Sequence, residues 1–99
     1  SNIFPEKFYL YQNYPNPFNP STKISWQIPA SLNPSQGGTL VTLKVYDMLG
    51  KVMVTLVNEE ESAGTYAIEF NASQLASGNY FYQLTAGEFK QTKKMVLLR

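Results

Sequence analysis

The sequence predicts an all-β protein, an immunoglobulin-like antiparallel β-sandwich of about seven strands in two sheets. Over short segments, apolar and polar residues alternate, which is the period of a strand and not of a helix. Turn-forming residues separate these segments at intervals of about 8–12 residues, as in other sandwiches. No stretch of about ten residues carries the apolar stripe of a helix, so the chain is assigned to strands and their connections.

Each predicted strand places its apolar residues on one face. In Thr22–Ile28, for example, Ile24 and Trp26 alternate with polar residues. The remaining strands are predicted at Phe8–Leu10, Thr39–Asp47, Lys51–Val57, Thr65–Phe70, Asn79–Thr85 and Phe89–Leu98. The same alternation predicts the core side chains: Ile24, Trp26, Ile28, Val41, Leu43, Val45, Val52, Val54, Leu56, Tyr66, Ile68, Phe70, Tyr80, Tyr82, Leu84, Met95 and Leu97. Burial of such side chains, at roughly 1.5–3 kcal/mol each, can offset the ordering entropy of the chain.

Three connections have clear turn or loop sequences. Asp47–Gly50 predicts a hairpin with a type I turn that is closed by a glycine at positive φ. Ala86–Gly87 predicts a second hairpin turn. Asn58–Ala63 is predicted to be a polar loop, and its glutamates, Glu59–Glu61, are expected in solvent.

Two other connections are longer. Asn71–Ser77 has room for one helical turn, from which Leu75 would point into the core. Pro29–Gly38 is rich in Ser, Pro, Asn and Gly and is expected to be the most mobile connection.

Length and composition indicate a single domain. The 99 residues suffice for one core, and we expect residues 1–5 to be linker and residues 6–99 to form a monomeric domain. A net charge of +1 provides no field that would attract nucleic acid. No apolar run reaches the roughly 18 residues of a membrane span. Cysteine is absent, which excludes disulfides but leaves the redox compartment open.

The residues needed for common catalytic mechanisms are missing. Histidine and cysteine are both absent, which removes the usual general base, metal ligand and thiolate nucleophile. A carboxylate pair remains conceivable, but Glu69 points outward and the other candidates lie in turns or loops: Asp47, Glu88 and Glu59–Glu61. We therefore expect no enzyme activity and no cofactor. Loop carboxylates would suit Ca²⁺, although no D-x-D-x-D-G pattern is present.

A carbohydrate-binding or structural accessory module of a secreted hydrolase is the alternative function. Outward aromatic side chains could form a platform on which sugars stack: Tyr9, Tyr11, Tyr14, Tyr46 and Phe81. Trp26 would be the strongest stacking residue, but its alternation with Ile24 and Ile28 predicts that it lies in the core.

A proline-rich string joins the first two strands. It runs from Tyr9 to Thr22 and contains three prolines within six residues, which fix φ and remove backbone donors. We predict a stiff connection that Tyr14 and Phe18 hold against one end of the sandwich. Its structural motif comprises Pro15, Asn16, Pro17, Phe18, Asn19 and Pro20.

This string resembles the N-Y-P-N-P-F-N-P-S-T segment of the C-terminal sorting domains (type A) of the type IX, or Por, secretion system. Four further segments resemble that family in the same order: Val45–Val52, with Asp47 and Gly50 of its V-Y-D-x-x-G hairpin; Ser62–Tyr66; Leu75–Leu84; and Lys93–Arg99. The resemblance covers about residues 6–99. The immunoglobulin-like domain of the flagellar hook-capping protein shares the hairpin and G-x-Y segments and is a neighbouring interpretation.

The resemblance implies a sorting signal found in Bacteroidota. Such a domain folds in the periplasm, is recognised by the outer-membrane translocon, and crosses to the cell surface or the medium with the cargo that precedes it in the polypeptide. A surface sortase then removes the domain in many cargos. The family's G-x-Y turn corresponds to Gly78–Tyr80, and its basic last strand to Lys93, Lys94 and Arg99. The resemblance therefore implies translocon recognition by Gly78, Tyr80 and these three basic residues.

A physical argument supports a role for the last strand. Met95–Leu98 is apolar and is flanked by basic residues. If it lies at a sheet edge, it would present unpaired backbone groups to a partner, and Lys93, Lys94 and Arg99 would contact an acidic receptor.

Overall fold

The computed structural model of the chain describes residues 5–30 and 38–99, and these residues form seven strands and no helix. The strands are β1 (Tyr9–Leu10), β2 (Ser21–Ile28), β3 (Thr39–Tyr46), β4 (Val52–Glu61), β5 (Gly64–Asn71), β6 (Gly78–Ala86) and β7 (Phe89–Leu97). They make one three-stranded sheet, in the order β1-β2-β5, and one four-stranded sheet, in the order β4-β3-β6-β7. All of these pairings are antiparallel. The predicted all-β sandwich is confirmed.

The core lies between the two sheets and is built from alternate residues of each strand. Its buried side chains are Leu10, Phe18, Ile24, Trp26, Ile28, Val41, Leu43, Val45, Val57, Phe70, Ala72, Tyr80, Tyr82, Leu84, Ala86, Met95 and Leu97. Trp26 is 2% exposed and stacks on Tyr66, with the ring centroids 5.9 Å apart. The prediction that Trp26 belongs to the core is therefore confirmed.

Strand β4 departs from its predicted pattern because it contains two bulges. The register with β3 shifts so that Leu43 pairs with Val57 while Lys44 pairs with Thr55, and a second shift follows nearer the hairpin. Each bulge adds a residue to β4 and changes which side chains face the core. Val52 is 45% exposed and Val57 is buried, so the prediction of Val52 as a core residue was wrong.

The connections differ from expectation at two places. β4 continues to Glu61, so the predicted loop at Asn58–Ala63 is reduced to Ser62 and Ala63. The segment after β5 forms a hydrogen-bonded turn, in which the Leu75 amide donates to the Ala72 carbonyl at 3.0 Å, and not a helical turn. Leu75 does pack against the core, as predicted. Pro29–Gly38 was predicted to be the most mobile connection. Most of it, residues 31–37, lies outside the described residues.

Candidate functional site: the terminal strand and its neighbours

Strand β7 lies at one edge of the four-stranded sheet and pairs with β6 along its whole length, from Gly78 opposite Leu97 to Ala86 opposite Phe89. Met95 and Leu97 are fully buried, whereas Leu98 is 54% exposed. The terminal strand is thus a structural part of the sandwich as well as a candidate recognition element.

The outer edge of β7 is covered by residues 8–18, which we call the N-terminal segment. This segment runs parallel to β7, with Phe18 bridged to Leu97. The Phe18 amide donates to the Val96 carbonyl, and the Leu98 amide donates to the Phe18 carbonyl, both at 2.9 Å. The expectation that Met95–Leu98 presents unpaired backbone groups was therefore wrong, because the proline-rich string already occupies that edge.

Side chains extend this contact along the strand. The Val96 amide donates to Oδ1 of Asn16 at 3.0 Å, and Nε2 of Gln12 donates to the Lys94 carbonyl at 2.8 Å. At the start of β7, the ring of Phe89 stacks on that of Phe8 with a centroid distance of 5.1 Å. The N-terminal segment therefore contacts β7 from its first residue to its last.

The same segment also pairs with the opposite sheet. Tyr9 and Leu10 form β1 against β2, and the amides of Tyr11 and Tyr14 donate to the carbonyls of Ser25 and Lys23 at 3.0 Å. Because it contacts β2 on one side and β7 on the other, the segment closes one side of the sandwich. The edge strands on the other side are β4 and β5.

A buried polar network fixes the proline-rich string, and sequence reasoning missed it. Asn13 is 2% exposed, and its Nδ2 donates to Oγ1 of Thr22 at 2.9 Å and to the Pro15 carbonyl at 3.1 Å. The Thr22 hydroxyl donates to the same carbonyl at 2.8 Å. These bonds explain the asparagine before the prolines and the threonine after them, since both hold the turn in place.

Of the predicted structural motif, Phe18 is the buried anchor. It is 2% exposed and lies 6.3 Å from the Phe70 ring. Tyr14 is 81% exposed, so the expectation that its side chain clamps the string was wrong. The Pro20 carbonyl accepts from the Ala72 amide at 2.8 Å. The remaining motif residues, Pro15, Asn16, Pro17 and Asn19, have exposed side chains.

The three basic residues of the predicted recognition set do not share one surface. Lys94 is exposed and pairs across the sheet with Phe81 on the outer face. Lys93 has the core-facing parity of Met95 and is half-buried. The Arg99 guanidinium donates to the carbonyls of Ala72 and Leu75 and so caps the turn after β5.

Gly78 and Tyr80 form a corner at the start of β6. Gly78 has φ of +151°, a value that residues with a Cβ rarely adopt. Tyr80 is 7% exposed, and its hydroxyl donates to the Ala76 carbonyl at 2.6 Å. This hydrogen bond to a carbonyl four residues upstream resembles the tyrosine corner of immunoglobulin-like sandwiches.

The hairpin at Asp47–Gly50 has the predicted turn. The Gly50 amide donates to the Asp47 carbonyl at 3.1 Å, and Gly50 has φ of +88°. Oδ1 of Asp47 accepts from the amides of Leu49 and Lys51, each at 2.9 Å. Asp47 and Gly50 therefore define the turn, and the residues between them do not.

Glu61 was predicted to lie in solvent, but it is only 5% exposed. Its Oε1 accepts from the Trp26 indole Nε1 at 2.8 Å. Burial raises the pKa of Glu61, the Trp26 hydrogen bond opposes that rise, and Glu59 adds to it. The prediction failed because the bulges in β4 turn Glu61 toward the core.

Two further findings concern residues 5–30 and 38–99, the part of the chain that the structure describes. Within these ranges, no three His, Cys, Asp or Glu side chains gather in a way that would hold a metal ion. The same residues contain no helix of the length and apolarity that a membrane crossing needs.

The two packed antiparallel sheets and the tyrosine corner define the chain as a small immunoglobulin-like β-sandwich domain. The sequence model of one family, the secretion system C-terminal sorting domain, matches residues 12–98. The chain therefore belongs to this family, the type IX secretion sorting domains, and the predicted resemblance is confirmed. None of the curated proteins matches the chain.

Family membership gives the function in outline. A sorting domain of this kind implies a cargo that precedes it in the same polypeptide and a secretion system that carries the cargo to the cell surface or the medium. Domains of this family are generally non-catalytic.

Proposed function

We propose that this domain is the folded address that the outer-membrane type IX translocon binds, after the domain has folded in the periplasm. A surface sortase then removes it from the cargo, and the domain itself has no enzyme activity. The observation that carries this proposal is the family match over residues 12–98, which includes almost the entire sandwich. We propose that the domain spans residues 6–99, and the stacking of Phe8 on Phe89 supports a start near this position.

Within this proposal, the five recognition residues have two different roles. Lys94 contacts the translocon directly, because it is exposed on the outer face. Gly78, Tyr80 and Arg99 act by shaping the corner and turn at the end of the sandwich, since their groups are used in internal contacts. Lys93, half-buried at the edge strand, contributes to recognition from the side of the sandwich.

The proposal is tested with a passenger protein that carries an export signal for the inner membrane and this chain at its C-terminus. In a bacterium with a type IX system, we expect the passenger at the surface or in the medium. A second fusion carries an unrelated sandwich of equal size. If the unrelated sandwich supports export equally well, the domain is only a spacer and the proposal is wrong.

A truncation that lacks Lys94–Arg99 should leave the passenger in the periplasm. This truncation also removes the buried Met95 and Leu97, so its thermal unfolding must be measured in parallel. Normal secretion of the truncated protein would contradict the proposal, whether or not the truncated domain is folded.

A further inference from the structure

The tip of the β3–β4 hairpin carries apolar side chains that folding does not need. Met48 is 61% exposed and Leu49 is 93% exposed. The turn is held by Oδ1 of Asp47 and by the positive φ of Gly50, so polar residues at positions 48 and 49 would fit it equally well. Adjacent apolar side chains in water at a turn point to a binding surface.

This tip is continuous with a groove of about 460 Å³ on the outer face of the four-stranded sheet. Tyr46 and Phe81 line the groove and are direct cross-strand partners. On the other side of Tyr46 lies its β4 partner, Val52, which is 45% exposed. Aromatic and apolar side chains therefore extend from the hairpin tip across β4, β3 and β6.

The charges around the groove are mainly positive. Lys94 is the cross-strand partner of Phe81, and Lys44 lies in the next row, opposite Gln83. Lys51 follows the turn, and the carboxylate of Asp47 on the groove accepts two backbone amides. A partner with acidic residues beside apolar ones would match this surface in both charge and polarity.

We propose that this hairpin surface (Tyr46, Met48, Leu49, Val52, Phe81 and Lys94) is the place where the domain binds the secretion machinery, through a segment that presents apolar side chains flanked by Asp or Glu. The inference rests on the proposed sorting function and names the contact surface for it. Met48 and Leu49 enter an apolar site on the partner, and Lys94 pairs with a carboxylate at its rim.

The first test is the double variant Met48→Ser/Leu49→Ser in the passenger fusion. We expect the exported fraction to fall about tenfold or more, since exposed apolar anchors dominate binding at such surfaces. Thermal unfolding should not change, because both side chains are exposed. The matched control is Leu40→Ser, which removes another exposed leucine, 57% accessible, from the far end of β3.

The second test reverses a charge. Lys94→Glu should lower the exported fraction by about tenfold, since like charges at an interface are unfavourable. The matched control is Lys90→Glu, which makes the same change on the same strand and face. Lys90 pairs with Thr85, two same-face cross-strand pairs away from Lys94. This variant should export within about twofold of the unaltered domain.

The outcomes separate this inference from the proposed function. If the unaltered domain exports no passenger, the sorting function itself fails. If it does, and the serine variant exports equally well, only the hairpin surface is wrong. Two measurements on the isolated chain would also overturn it: calorimetric binding of an oligosaccharide that the serine variant loses, or sedimentation showing a dimer that the serine variant breaks.

Discussion

Glu61 lies almost fully buried against the indole of Trp26, on a strand whose neighbouring glutamates are exposed. The residue type alone predicts a side chain in solvent, since glutamate is rarely buried without a partner. The partner is 35 positions away in the chain, and no local pattern connects the two. Residues of this kind, whose environment depends on a distant side chain, are those that sequence reasoning misplaces.

Glu61 should make the domain less stable as the pH rises. Its folded pKa is raised above the ordinary value of 4.5, so the folded state binds the proton more tightly than the unfolded state. The resulting stabilisation is present below 4.5 and is lost as the pH rises through the folded pKa. Glu61→Gln keeps an oxygen acceptor for Trp26 without the charge, so urea unfolding of this variant should depend less on pH above 4.5.

The same titration of Glu60→Gln is the control, because Glu60 is exposed on the same strand. Identical pH profiles for Glu61→Gln and the unaltered domain would show that Glu61 has its ordinary pKa.

Tyr82 illustrates a second kind of buried polar group, one that is fully paired. Its hydroxyl accepts from the backbone amide of Asn13 at 2.7 Å and donates to the backbone carbonyl of Tyr11 at 2.8 Å. Burial raises the pKa of Tyr82 to about 12, so the hydroxyl stays protonated at all physiological pH values. The alternation of β6 predicts that Tyr82 is buried, but not that its hydroxyl binds the N-terminal segment.

Tyr82→Phe should destabilise the domain by about 1–3 kcal/mol, because it leaves a buried amide and a carbonyl without a partner. The measurement is urea unfolding, together with hydrogen exchange of the Asn13 amide, which should become faster. Tyr66→Phe is the matched control, since the Tyr66 hydroxyl donates to one exposed carbonyl, that of Ser62. An equal loss in both variants would contradict the role given to Tyr82.

Among the elements, the proline-rich string differs most from its prediction. The prolines predict a stiff connection, and Phe18 is buried as the predicted anchor. The pairing of the string with β7 was not predictable, because the residues that meet are about 80 positions apart in the chain. The bulges of β4 were equally hidden, since an added residue in a strand leaves the sequence alternating on either side of it.

Asn16→Ala should expose the outer edge of the terminal strand. The Val96 amide loses its side-chain acceptor, Oδ1 of Asn16, and stability should fall by about 0.5–1.5 kcal/mol. Hydrogen exchange of the Val96 amide should rise, while that of Leu98 stays protected by the Phe18 carbonyl.

Asn19→Ala provides the comparison for this change, because Asn19 is an exposed asparagine of the same string. Faster exchange at Val96 in the Asn19 variant as well would indicate that the whole string had loosened, and the specific role of Asn16 would be wrong.

At the scale of the whole molecule, the fold class and seven strands follow from alternation and turn residues alone. The arrangement of the residues proposed for recognition follows less directly from the sequence. Lys93, Lys94 and Arg99 lie within the last seven residues of the sequence, yet their side chains point to three different places. Strand alternation predicts that Lys93 and Lys94 diverge, whereas the capping role of Arg99 depends on a turn 24 residues upstream.

Deletion of Met95–Arg99 should unfold most of the domain at moderate temperature. It removes Met95 and Leu97, both fully buried, and loss of each such side chain costs about 2–5 kcal/mol. Deletion of Leu98 and Arg99 alone removes no buried side chain, although it does remove the hydrogen bond from the Leu98 amide to Phe18 and the Arg99 cap, so it should lower the melting temperature much less. Thermal unfolding followed by circular dichroism distinguishes the two. A cooperative transition at the normal temperature in the longer deletion would show that β7 is dispensable for folding.

The parallel pairing of Phe18 with Leu97 determines how the domain responds to mechanical load. A load applied between the chain that precedes the N-terminal segment and the end of the terminal strand would act on both paired segments. Because the two paired segments run in the same direction, such tension slides one along the other. Their hydrogen bonds at Asn16, Phe18, Val96 and Leu98 are then loaded together and not broken one after another. We expect the domain to resist unfolding under a load applied in this direction.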